Sequence, residues 1–140
     1  MNTFSLHAAI MLAVLIAGCA VAPGQPDREE MYIRATMLTK LSAAVESTVR
    51  YKNPPPDLSE TELLAVATRH DPVLLENFKG YTVRVLRQER HSLVLVCDRT
   101  GARALLEDAG CSGSMDRARW MDASEPCEFS LDTAAVCKAN

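Results

Sequence analysis

The chain has 140 residues, 48% of them hydrophobic, with 18 acidic against 15 basic side chains and a net charge of −3. A chain of this size buries about two-thirds of the surface its unfolded form exposes, and that apolar share suffices for one core. Charges this close to balance, with the signs interspersed, exclude the markedly basic surface of a dedicated nucleic-acid binder and offer no polybasic membrane patch.

Residues 8–17, Ala-Ala-Ile-Met-Leu-Ala-Val-Leu-Ile-Ala, carry no charge and run directly into Gly18 and Cys19. A membrane-spanning helix needs about 20 apolar residues, so this shorter run fits the core of an export signal. The tetrad Ile16-Ala17-Gly18-Cys19 resembles the lipobox of bacterial lipoproteins: a branched apolar residue, two small ones, then the cysteine that becomes residue one. The resemblance covers the export segment alone. It implies a signal peptide over residues 1–18, a diacylglyceryl group on the Cys19 thiol and an acyl chain such as palmitate on the new amino group. With Ala20 rather than Asp after the cysteine, it also implies sorting to the outer membrane, the domain hanging from the periplasmic face. Ala20-Val21-Ala22 is an A-x-A triplet as well, so cleavage after Ala22 and soluble periplasmic export is the alternative.

Beyond Cys19 the chain holds four cysteines, Cys97, Cys111, Cys127 and Cys137. An even number behind an export signal predicts two disulfides; three pairings are open, and sequence does not choose among them. There is no C-x-x-C pair and no zinc-finger spacing, so neither a metal site nor a dithiol redox motif is expected.

Residues 19–26 form a short tether of turn-forming residues. Asp27 reads as a helix cap with Glu29 and Glu30 in the first turn, and Met31, Ala35, Leu38, Leu41, Val45 and Val49 then make one apolar stripe on a helix to about Tyr51. Asn53-Pro54-Pro55-Pro56-Asp57 ends it, because proline breaks the hydrogen-bond ladder. Ser59-Glu60-Thr61-Glu62 matches a capping box, opening a short helix that buries Leu63, Leu64 and Val66. Asp71-Pro72 reads as cap and first helical position of a segment over 73–79 that Gly80 closes.

Past Gly80 the period becomes alternating. Strands are predicted over 81–85 and 92–97, joined by a hairpin through Gln88 to His91. Asp98-Arg99-Thr100-Gly101 suits a three-residue hairpin loop, which sets Val96 opposite Ala104 and Val94 opposite Leu106 in a meander. Residues 102–109 also suit a helix; the strand is preferred. Phe129 and Leu131 are expected in a last strand, and 112–125 in a polar loop pinned to the core by Trp120. The whole reads as α+β: residues 27–140 as one domain, N-terminal helices packed on a small antiparallel β-sheet, disulfides stabilising the C-terminal half.

No nucleophile elbow, phosphate loop, dinucleotide fingerprint or metal-binding helix is present. His70 and His91, each among charged neighbours, read as solvated, and Glu107-Asp108 and Glu125 with Glu128 as chance neighbours. The expectation is a non-enzyme without cofactor: a small lipid-anchored envelope protein that serves as a binding or assembly accessory. It would dock on an envelope protein partner through an apolar surface, as pilotins of secretion systems do. The alternative is a periplasmic enzyme or enzyme inhibitor acting through the cysteine-flanked loop near Trp120.

Overall fold

The computed structural model describes residues 26–138. Cys19 and its lipobox lie outside the described residues, as does the tether before Pro26.

Helix α1 (Arg28–Ser47) opens where Asp27, in extended conformation, accepts a side-chain hydrogen bond from the Glu29 amide at 3.0 Å. Met31, Leu38, Leu41 and Val45 are fully buried along its inner stripe and Ala35 partly so. The helix continues as one π-helical turn, Thr48–Lys52, and stops at Asn53, whose left-handed backbone (φ 43°) leads into the prolines. Helix α2 (Glu60–Ala67) carries both halves of the capping box: Ser59 Oγ accepts from the Glu62 amide at 3.2 Å, and Glu62 Oε2 accepts from the Ser59 amide at 2.8 Å. Leu63 and Leu64 are buried, but Val66 is only half-buried, since so short a helix covers one narrow stripe.

Helix α3 (Val73–Glu76) is a single turn. Pro72 holds the cap position expected of Asp71, whose carbonyl, not its side chain, receives the Leu74 amide at 3.2 Å. The turns that follow bury Phe78 and close at Gly80, where φ of +88° makes glycine the natural occupant. Among the described residues no helix is long and apolar enough to cross a membrane.

Strands β1 (Thr82–Gln88), β2 (His91–Cys97) and β3 (Ala104–Ala109) form an antiparallel meander in the order β1-β2-β3. Residues 102–109 therefore contribute a strand. Gln88 pairs with His91 across a two-residue turn whose Glu89 has φ of 55°. The β2–β3 register differs from the expected one: Val96 faces Leu106 and Val94 faces Asp108. Two local features cause the shift. Asp98 Oδ1 accepts from the Ala102 amide (3.0 Å) and the Thr100 hydroxyl (2.8 Å), while the Asp98 amide bonds to the Arg103 carbonyl (2.9 Å), so the loop takes four residues. A bulge between Val96 and Cys97 adds one more, and the combined slip of two preserves which face each β3 side chain meets.

Helix α1 crosses β2 and β3, and α2 lies on β1. Val85, Val94, Val96, Leu105 and Leu106 join the helices in one core. The opposite face is covered too: Leu95, Cys97 and Ala104 pack with Cys127 and Phe129 of the C-terminal segment. The architecture is α+β with two disulfides in its C-terminal half, Cys97–Cys127 and Cys111–Cys137. Phe129 and Leu131 do not form the expected strand; the Ser130 and Leu131 amides turn to the Glu107 carboxylate instead of a neighbouring backbone.

Candidate functional site

The loop between Cys111 and Cys127 is organised by a buried ion pair that its sequence does not announce. Glu107 of β3 and Arg119 are 0% and 3% exposed, with Arg119 Nη1 3.0 Å from Glu107 Oε2. The Glu107 carboxylate also accepts from the Ser130 amide (2.7 Å), the Ser130 hydroxyl and the Leu131 amide (2.9 Å). Arg119 binds Glu125 through Nε at 2.8 Å and donates to the carbonyls of Glu128 (2.6 Å) and Pro126 (3.3 Å). Its hydrogen bond and charge hold the Glu125 carboxyl below the usual range. A buried pair with this many partners fixes one conformation, because any alternative strands a charge out of water.

Trp120 follows Arg119 on a short 3-10 turn, Arg119–Met121. Trp120 is 6% exposed, and its ring meets Tyr32 of α1 edge to face, 6.1 Å between centroids at 87°. Arg103 donates to the Trp120 carbonyl at 3.2 Å. Tyr32 and Met121, each 52% exposed, thus lie beside a buried tryptophan at the end of the molecule where α1 begins. The expectation that Trp120 pins the loop holds.

A second polar cluster lies under the last turns of α1. Glu46 Oε2 accepts from the Ser92 amide (2.8 Å) and hydroxyl (2.9 Å), and Oε1 lies 2.6 Å from His91 Nδ1. His91 is therefore not the solvated residue its neighbours suggest, whereas His70 is exposed. The close approach depends on Gly110: a Cβ there would stand 2.4 Å from Glu46 Cβ and 2.7 Å from the Ser42 carbonyl. A ring nitrogen of His91 and the sulfurs of Cys111 and Cys137 all lie within 4.8 Å of one another. The two sulfurs are bonded to each other, which removes them as metal ligands in this state.

Asp108 shares the core face with Val94 and is fully buried. Its Oδ1 accepts from the Asp116 amide at 3.2 Å, while Oδ2 and the Ser42 hydroxyl lack hydrogen-bond partners among the described residues. Burial pushes the Asp108 carboxyl up to about 7, and the neighbouring Asp116 charge adds to the rise.

Sequence reasoning missed Glu46, Glu107, Asp108 and Arg119. One signal was present, the two adjacent acids inside the apolar run Ala-Leu-Leu-Glu-Asp-Ala. A strand buried on both faces accepts them only with partners: those of Glu107 come from 12 to 24 residues away, and the Asp116 amide reaches Asp108 from 8 residues away. Fold and clusters together define an α+β domain closed by two disulfides. Comparison with protein-family models, with curated proteins and with solved structures gave no match.

Proposed function

We propose that this chain is a small bacterial envelope lipoprotein, anchored through Cys19 at the periplasmic face of the outer membrane, and that its domain is a non-catalytic binding or assembly accessory. The observation that supports the reading is the rigid display of Tyr32 and Met121 beside buried Trp120. Aromatic and methionine side chains are enriched at protein interfaces. Met121 is carried on the loop that the Arg119 ion pairs and the flanking disulfides hold, and Tyr32 stands on α1 against Trp120, so the backbone beneath both loses little conformational freedom on docking. Two disulfides suit an oxidising compartment. A tether over residues 19–26 reaches about 25 Å at full extension, so the α1 end would stay close to the bilayer and meet a partner held in the same membrane.

The test has two parts. Cells labelled with a fatty acid should yield labelled wild-type protein, while Cys19→Ala should be released in part as soluble protein cut after Ala22. A photo-crosslinking amino acid at position 32 or 121 should then capture a membrane-held envelope protein in wild-type cells. Crosslinks to lipid alone would refute the docking reading. Capture of a soluble hydrolase would favour the inhibitor alternative, since the surface would then face a diffusing target.

A further inference from the structure

We propose that Cys111–Cys137 is a thiol–disulfide exchange centre assisted by His91, with a dithiol as its reductant. The proposal adds an activity to the docking role. The chain has no C-x-x-C motif; the fold assembles this centre from three separate segments.

Three observations carry it. The first is the contrast between the disulfides: Cys97 is fully buried in β2 against Leu95, Ala104 and Phe129, so that pair has only Cys127 half-buried, whereas Cys111 and Cys137 are both half-buried. The second is access. A surface cavity of about 310 Å³ is lined by Gln88, His91, Thr133 and Cys137, among others, and Cys111 is not part of its wall. A thiolate entering there reaches Cys137 before Cys111, which makes Cys111 the departing sulfur. The third is the histidine. One of its ring nitrogens lies within 4.8 Å of both sulfurs, and Glu46 holds Nδ1 at 2.6 Å, orienting the ring and leaving Nε2 free of that contact. Other charged groups of the described residues nearby are Glu89 and Asp132 at the cavity, Arg90 beside His91 in sequence and Lys138 beside Cys137.

The exchange balances as follows. The first thiol of the reductant, having released its proton to solvent, attacks Cys137 Sγ as a thiolate. The Cys111–Cys137 bond breaks, its electron pair leaves on Cys111 Sγ, and His91 donates a proton to that sulfur. Cys137 is now joined to the reductant as a mixed disulfide. The second thiol of the reductant gives its proton to His91, attacks the reductant's own sulfur and expels the Cys137 thiolate, which takes a proton from solvent. Two electrons and two protons have passed to the protein, and the dithiol has become a disulfide. Departure of the first thiolate is the step a proton donor accelerates, since better-stabilised thiolates leave faster.

The experiment uses the full lipidated protein in detergent under native conditions, with dithiothreitol as reductant, timed alkylation and peptide mapping. Cys111 and Cys137 should become alkylated together while Cys97 and Cys127 stay protected. With 2-mercaptoethanol, a monothiol that cannot resolve the intermediate, the adduct should sit on Cys137. In His91→Gln, which keeps a polar side chain toward Glu46, the reduction rate should fall at least about tenfold under conditions where urea unfolding shows the variant still fully folded. Joint reduction of both disulfides at the rate of global unfolding, an adduct on Cys111, or an unaltered rate in folded His91→Gln would each overturn the proposal. If His91→Gln does not fold, the two wild-type measurements decide.

Discussion

Replacing Gly110 with alanine tests a close contact between α1 and the end of β3. The added Cβ would stand 2.4 Å from Glu46 Cβ, 2.7 Å from the Ser42 carbonyl oxygen and 2.9 Å from Ser92 Oγ. Carbon atoms pack best at about 3.5 to 4.0 Å, so the overlap with Glu46 exceeds about 1 Å. Neither of the two nearest atoms can rotate away, because one is a Cβ and the other backbone. Relief requires α1 to lift from the end of β3, and overpacking of that kind costs about 1 to 3 kcal/mol. The shift would also stretch the hydrogen bonds of Glu46 to Ser92 and His91, where bonds to a charged group contribute about 1.5 to 3 kcal/mol each. A total near 3 to 5 kcal/mol is a large part of the 5 to 15 kcal/mol that typically holds a domain together, roughly. Urea unfolding with both disulfides intact should show a lower midpoint at unchanged slope. Gly113→Ala is the control, since no atom of the described residues lies within 4 Å of a Cβ there; it should be neutral within about 0.5 kcal/mol. A Gly110→Ala protein as stable as that control would show that α1 does not approach β3 as described, and the placement of Glu46 would fall with it.

Asp108 makes a pH prediction. Its folded-state value of about 7 lies above the ordinary 3.8, so its contribution to stability is complete below the lower value, declines as pH rises and is gone above the higher. Asp108→Asn should therefore gain on wild type between pH 4 and 8 by on the order of 3 kcal/mol, read as the difference between urea midpoints; a constant difference would refute the burial argument. Arg119→Met leaves Glu107 buried without its cation and should cost about 3 to 5 kcal/mol, with Trp120 fluorescence shifting to the red as the loop loosens. Adding Glu107→Gln should restore part of that loss, and no recovery would mean the pair is not coupled. Joint replacement of Cys97 and Cys127 by alanine should cost about 3 to 4 kcal/mol in thermal or urea unfolding, because the bridge closes a loop of 30 residues.

Much of the α half was legible in one dimension. The Asp27 cap, the stripe from Met31 to Val49, the stop at the prolines, the Ser59–Glu62 capping box and the closing Gly80 are set by interactions within a few residues. The alternating run of β1, the continuous apolar run of β2 and the even cysteine count were legible for the same reason: pattern and parity are local or countable. The tertiary structure decided what depends on distance. The β2–β3 register turned on the side-chain hydrogen bonds of Asp98 and one bulge, neither of which leaves a pattern in composition. The choice among three disulfide pairings, and the closing of the sheet's second face by an irregular segment instead of a strand, needed the chain to return on itself. The polar clusters are the extreme case. Glu46 meets His91 and Ser92 across 45 and 46 residues, and Glu107 meets Leu131 across 24. A buried charge is tolerable only where donors from remote segments converge on it, so its role is invisible until the core has formed around it.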